Sequence, residues 1–245
     1  MHKINIEIFY WIDNWADDQV PYFEKAKSCG FDGVEISLVD GPETPVERMK
    51  AEAQRLDLDI YCSMGLPADM DITSPDESVR RRGIEFVKRC ADAAQRVGSP
   101  ILASDLGIDI TLELLNRFET FMFNCVDEGL AFLQQVDHPN VKLQLDTYHM
   151  NMEEDNLAEA IRKADDKLGH FHCAASNRKL PGKGHIDWGQ IFDALDDIHY
   201  NRGIVIETFP NPAAETGRTI NVWRPLVEDF DAEAVESLTF LRNVQ

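Results

Sequence analysis

Val141-Lys-Leu-Gln-Leu-Asp-Thr-Tyr-His-Met-Asn-Met-Glu-Glu154 is the stretch that decides the fold. Val141, Leu143 and Leu145 alternate with polar neighbours, the pattern of a short buried strand. Chemistry-bearing residues then crowd its end: Asp146, Thr147, His149 and Asn151 fall within six positions, and the polar run from Glu153 to Asn156 leads into a helical pattern. A carboxylate and an imidazole at the C-terminal tip of a strand that feeds a helix are what the active rim of an α/β barrel looks like in sequence. The reading predicts that other strands end the same way.

Length and charge bound the alternatives. A chain of 245 residues with 44% hydrophobic side chains suits one large α/β domain, and with no linker, repeat or low-complexity tract we expect residues 1–245 to form a single unit. The formal charge of −20, from 44 acidic against 24 basic residues, argues against nucleic acid and against anionic membranes as partners. Five cysteines without a C-x-x-C pair read as reduced thiols in a cytoplasmic protein. The N-terminus runs straight into a strand containing Glu7, and no apolar run approaches the roughly 18 residues of a membrane span.

Outward from the opening stretch, strands and helices alternate. Strands are expected at Ile4–Phe9, Gly33–Leu38, Leu58–Met64, Pro100–Ala103, Ile108–Leu112, Val141–Leu145, Gly169–Cys173 and Gly203–Ile206. Seven helices are expected with them, among them one from Thr44, a long one opening at Ser74-Pro-Asp-Glu77, one over Asn124–Val136 and a closing one over Asp231–Arg242. Such regular alternation predicts a TIM (β/α)8-type barrel with its functional residues on the loops after the strands. One junction resists: only Ser104-Asp-Leu-Gly107 separates the fourth strand from the fifth, whereas parallel neighbours need a crossover of about a dozen residues. Either the fourth strand is misplaced or a helical connection is absent there.

Four strand ends carry candidate ligands: Glu113, Asp146, His172 and Glu207. Two Glu, one Asp and one His on a common rim make a hard oxygen and nitrogen donor set for Mn²⁺, Mg²⁺ or Co²⁺. Cys173 beside His172 is turned away by strand alternation. Singly, each residue has a plain structural role open to it: Asp146 as a turn cap, His172 as a core histidine, Glu113 or Glu207 as a partner of Arg117 or Arg224. Four at successive strand ends favour a site.

Glu113-Leu-Leu-Asn-Arg-Phe-Glu119, Leu145-Asp-Thr-Tyr-His-Met-Asn-Met-Glu-Glu154 and Gly169-His-Phe-His-Cys-Ala-Ala-Ser-Asn-Arg-Lys-Leu-Pro-Gly-Lys-Gly184 resemble the D-tagatose/D-psicose 3-epimerase family of xylose-isomerase-like barrels. The likeness runs from Tyr10-Trp11 and Trp15 to Asn221-Val-Trp-Arg224. It implies an isomerase acting on a small ketose, with Glu113, Asp146, His172 and Glu207 as ligands of one divalent metal ion, Mn²⁺ first and Mg²⁺ or Co²⁺ as alternatives. It implies Glu113 and Glu207 as the acid/base pair, Glu119, His149 and Arg178 on the sugar hydroxyls, and a homo-oligomer, dimer or tetramer. The chemistry suits these residue types: inverting a carbon beside a ketone takes a proton from one face and returns one to the other, while an ion on the two oxygens stabilises the enediolate between.

This chain departs from that pattern in three places. It is short of the helical connection after the fourth strand, Glu7 stands where the family has an aromatic residue near the sugar, and Ala174-Ala175-Ser176 replaces a more polar segment. Related barrels isomerise hydroxypyruvate or dehydrate inososes, and a sugar-binding remnant without activity is a further alternative. Endonuclease-like relatives need more histidines and a basic face, which the charge opposes.

Overall fold

The computed structural model describes residues 1–38, 44–101 and 109–245. Its first half runs β1 (Ile4–Glu7), α1 (Pro21–Cys29), β2 (Gly33–Ser37), α2 (Val46–Leu56), β3 (Asp59–Ser63) and α3 (Glu77–Val97). The second half runs β4 (Ile110–Glu113), α4 (Val126–Val136), β5 (Val141–Asp146), α5 (Thr147–Glu153), α6 (Leu157–Ala164), β6 (Leu168–Cys173), α7 (Trp188–Asp197), β7 (Ile204–Ile206), α8 (Glu215–Thr219) and α9 (Phe230–Val244). All strand pairs are parallel, in the order β3-β2-β1-β7-β6-β5-β4. The first strand therefore lies beside the last, which curls the sheet into the wall of the expected α/β barrel.

Among the described residues β3 and β4 are the two edges of this wall. Of the expected fourth strand, Ile101 makes a single parallel bridge to Asp109. Leu102, Ala103, the Ser104–Gly107 turn and the Ile108 start of the fifth strand lie outside the described residues. Among the described residues nine α-helices stand against the seven expected, the two additional ones being α5 and α8. The cause of α5 is local: the Asp146 carboxylate accepts a hydrogen bond from the Tyr148 amide at 2.6 Å and starts a helix directly at the strand end.

Helix ends follow from the same local chemistry. Asp76, Asn156, Asp187 and Asp229 cap α3, α6, α7 and α9 through side-chain oxygens. Gly30 and Gly98 end α1 and α3 at φ of 93° and 95°, where a side chain would be strained.

Alternation along the strands divides the interior into two layers. Ile4, Ile6, Val34, Ile36, Ile60, Phe171, Cys173, Ile204 and Ile206 belong to the apolar core between sheet and helices. Truncating a fully buried aromatic such as Phe171 to Ala would cost about 3–5 kcal/mol. The alternate residues, Asn5, Glu7, Glu35, Gln144, Asp146, His170 and His172, are equally buried but polar, and they face the barrel interior. At the N-terminal end of the strands this interior is closed by tight contacts. A side chain on Gly203 would sit 2.4 Å from both the Asn5 amide and the Tyr61 hydroxyl, which is why only glycine fits there. The C-terminal ends of the strands carry the chemistry.

Candidate functional site

Each site residue is placed by the end of a strand. Glu113 closes β4, Asp146 closes β5, His172 is the penultimate residue of β6, and Glu207 follows β7, its amide donating to Cys173 O at 3.1 Å to extend the ladder. Strand register puts His172 opposite Asp146. One donor atom from each of Glu113, Asp146, His172 and Glu207 lies within 4.8 Å of the others, so the four predicted ligands converge on one point. Cys173 faces the apolar core, as alternation requires.

The plain alternatives fare unevenly. Asp146 does cap a turn through Oδ1, but its Oδ2 remains for the cluster and contacts Arg178 Nη1 at 2.6 Å. Arg117 pairs with Glu153 at 2.8 Å, not with Glu113. Glu207 pairs with Arg178 at 2.8 Å and with His172 Nδ1 at 3.2 Å. Glu113 Oε1 is buried without a hydrogen-bond partner among the described residues, and His149 Nε2, 3.8 Å away, is likewise unpartnered. Two buried polar atoms left open toward each other, in a ring of hard oxygens and one imidazole, fit a divalent cation and an oxygen-rich ligand.

Arg178 reaches the cluster from the loop after β6. Its backbone takes a left-handed φ of 59°, held by its amide on Ala175 O at 2.9 Å and by the Thr208 hydroxyl on its carbonyl. The guanidinium lies over the Tyr148 ring at 4.7 Å and the Phe209 ring at 5.7 Å. Placed on the sugar by resemblance, this arginine here bridges two of the three acidic donors and supplies positive charge at the cluster.

His149 and Glu119 are joined by a residue the sequence reading passed over. Buried Asn116 sends its amide nitrogen to His149 Nδ1 and to Glu119 Oε1, both at 2.8 Å. Its backbone amide also points at His149 Nδ1, at 3.3 Å. With Nδ1 accepting, the proton of His149 sits on Nε2, the nitrogen facing Glu113. The spacing Glu113-x-x-Asn116-x-x-Glu119 was the available signal, since a turn of that length returns each third residue to the same side.

The electrostatics set the two glutamates apart. Burial and the nearby Glu207 charge push Glu113 up to about 8. Burial opposes ionisation of Glu207 too, yet Arg178 and His172 hold it down at about 2. One carboxyl thus keeps its proton near neutrality while the other stays a carboxylate. Burial lowers His149 to about 4, leaving it neutral. Glu7, the residue in place of an aromatic, is buried with Oε2 unpartnered among the described residues, and burial together with the Glu207 and Glu35 charges raises it well above the carboxylate range.

Two further residues of the interior were missed. Glu35 on β2 and His170 on β6 form a buried group with His172 whose donor atoms also lie within 4.8 Å of one another. Strand periodicity of two puts His170 on the face of His172, and that signal was legible; the approach of Glu35 from a strand far away in sequence was not. Beside the site a cavity of about 590 Å³ is lined by Glu119, Tyr148, Asn177, Arg178 and Trp223, room for a small sugar. A larger hollow of about 810 Å³ lies along α3, lined by Arg81, Arg82 and Glu85, and holds none of the predicted residues.

Comparison with known proteins places this geometry. The model of the xylose isomerase-like TIM barrel family matches residues 23–105 and 99–226, two stretches that meet at the short junction. A D-psicose 3-epimerase of Ruminiclostridium cellulolyticum is 33% identical over 287 residues, covering 99% of this chain and 97% of the relative. Because 287 aligned positions exceed the 245 residues here, the relative carries segments this chain lacks. An L-ribulose 3-epimerase of Methylomonas sp. is 33% identical over 89% of this chain and 88% of its own length. The crystal structure of D-psicose 3-epimerase with D-tagatose from Clostridium cellulolyticum H10 superposes with a TM-score of 0.91 at 33% identity, covering 99% of both chains.

Proposed function

Because the chain belongs to the xylose isomerase-like TIM barrels, and within them to the ketose 3-epimerases, we propose that it interconverts the C3 epimers of a ketohexose or ketopentose of the D-psicose, D-tagatose or L-ribulose type. The observation that carries this reading is the convergence of Glu113, Asp146, His172 and Glu207 on one point at the C-terminal rim of the strands.

In the proposed reaction the ionised carboxylate takes the C3 proton. The C3–H bond breaks, a carboxyl O–H bond forms, and the electron pair delocalises onto the C2 carbonyl oxygen. The other carboxyl group then donates its proton to C3 from the opposite face, and the roles of Glu113 and Glu207 are exchanged for the reverse direction. Arg178 and His149, with Glu119 held by Asn116, orient the hydroxyls on either side of C3. The four converging groups would hold one divalent ion, Mn²⁺ by preference with Mg²⁺ or Co²⁺ as substitutes, which supplies Lewis-acid stabilisation of the negative charge developing on the oxygens.

Residues 1–245 act as a single domain in this reading. The protein works as a cytoplasmic homo-oligomer, dimer or tetramer. Among the described residues three large aromatic side chains are left on the surface, Phe118, Phe121 and Trp223, and support an assembly, while five free cysteines support a reducing compartment. Among the described residues no helix is long and apolar enough to cross a membrane.

The test is incubation with Mn²⁺ and D-psicose, D-tagatose or L-ribulose in D₂O. Inversion at C3 with deuterium entering there is expected. Binding of a ketose without deuterium entry would sink the catalytic reading and favour a sugar-binding remnant, the alternative that the family match breaking at the short junction supports.

A further inference from the structure

Glu35 has no part in the reaction just described, yet it is one of the most thoroughly buried charged residues in the molecule. It lies on β2, in register with Glu7 on β1 and Tyr61 on β3, and its exposure is 0%. Its carboxylate meets two imidazoles from β6. Oε2 is shared between the two, 2.6 Å from His170 Nε2 and 3.4 Å from His172 Nε2, while Oε1 lies 3.3 Å from the same His172 nitrogen and has no hydrogen-bond partner among the described residues. The His170 ring is itself fixed between neighbours: it stacks on Tyr61 at 5.6 Å and meets the His172 ring edge-on at 4.8 Å.

An ionised carboxylate only accepts hydrogen bonds, so both nitrogens facing it must carry protons. For His172 the consequence reaches across the ring. With the proton on Nε2, the lone pair of Nδ1 is directed the opposite way, to where Glu207 Oε2 stands at 3.2 Å and the rest of the acidic cluster converges. In the metal-free protein a proton on Nδ1 joins the two atoms, and a bound cation would take that proton's place. The Gln144 amide nitrogen lies 3.4 Å from Nδ1, on the same side as the cluster.

We propose that Glu35 is a positioning residue of the metal centre: from the far side of the imidazole it holds His172 in the Nε2–H tautomer with Nδ1 turned to the cation, and His170 clamps Glu35 in place. The inference rests on the metal reading above and extends it to a carboxylate outside the four-residue cluster. A carboxylate that hydrogen-bonds the outer nitrogen of a ligating histidine fixes its orientation and raises its basicity, and losing such a partner weakens metal binding 10–100-fold.

The experiment is calorimetric titration of the purified metal-free protein with Mn²⁺, for wild type, Glu35→Gln and His170→Gln. Glu35→Gln keeps shape and volume and is expected to bind Mn²⁺ 10–100-fold more weakly. His170→Gln, which leaves Glu35 in contact with His172, is expected to lose less. A merely structural role would lower thermal stability in both variants and leave Mn²⁺ affinity within about threefold, which would overturn the proposal. If wild type binds no Mn²⁺, the metal reading itself fails; if wild type binds and Glu35→Gln binds equally, only the role of Glu35 does. Should Glu35→Gln not fold, ¹⁵N NMR of the histidines in Mg²⁺-loaded wild type decides: protonated Nε2 on His172 supports the tautomer, and an unprotonated Nε2 refutes it.

Discussion

Replacing Glu113 by Gln should slow epimerisation steeply while leaving half of the proton chemistry intact. The substitution keeps the side-chain volume and leaves Glu207 ionised by Arg178 and His172. It removes a carboxyl group that stands with an unpartnered oxygen 3.8 Å from His149 Nε2 and holds its proton up to about 8. A positioned acid or base contributes about 10²–10⁴ in rate, so turnover should fall by that factor, roughly 3–5 kcal/mol of barrier. Glu207 can still take a proton from the face it addresses and return one there. One epimer should therefore exchange its C3 hydrogen with D₂O without inverting, while the other neither exchanges nor inverts. Proton NMR of each epimer in D₂O, at Mn²⁺ concentrations shown by calorimetry to saturate the variant, separates lost proton transfer from lost metal. Normal turnover in both directions would refute the assignment of Glu113, and equal exchange in both epimers would refute the two-face geometry.

Other expectations follow from the same contacts. Arg178→Ala strips the partner from two buried carboxylates, Asp146 and Glu207, and should cost the metal-free protein about 3–5 kcal/mol in urea unfolding, with a smaller loss when Mn²⁺ is present. Asn116→Ala frees the His149 ring and Glu119 together; a rise in KM with kcat nearly kept would show that they serve binding, and a pure kcat loss would contradict it. The folded protein holds a proton on Glu113 up to about 8 that the unfolded chain, at 4.5, gives up earlier, so this group makes stability fall as pH rises between those values. Thermal melts of metal-free protein from pH 5 to 8 should decline less steeply in Glu113→Gln than in wild type. Chelation of the ion should lower stability by about 2.7 kcal/mol relative to protein holding it at a hundredfold excess over Kd, and Mn²⁺ should restore it; an unchanged melt on adding Mn²⁺ would count against the metal centre.

Much of this architecture was written in local pattern. Alternation of Val141, Leu143 and Leu145 makes β5 a strand wherever it packs, and the regular recurrence of strands and helices leaves the curled parallel sheet as the arrangement that buries them. Polar residues at strand ends declared the rim, because in a parallel barrel every strand delivers its last residue to the same side. The shortage of chain between the expected fourth and fifth strands was legible too, since the four residues Ser104–Gly107 cannot carry a helical crossover. Tertiary structure alone decided the rest. Asp146 starting α5, Asn116 joining His149 to Glu119, and Arg178 crossing to two carboxylates are choices among partners distant in sequence. Glu35 shows the reason most plainly: a glutamate inside a strand has no local signature of function, and only the closing of β1 between β2 and β7 carries it to the histidines of β6. Periodicity tells which face a side chain takes, while the groups it meets there, and hence its charge, are set by which strands the barrel makes neighbours.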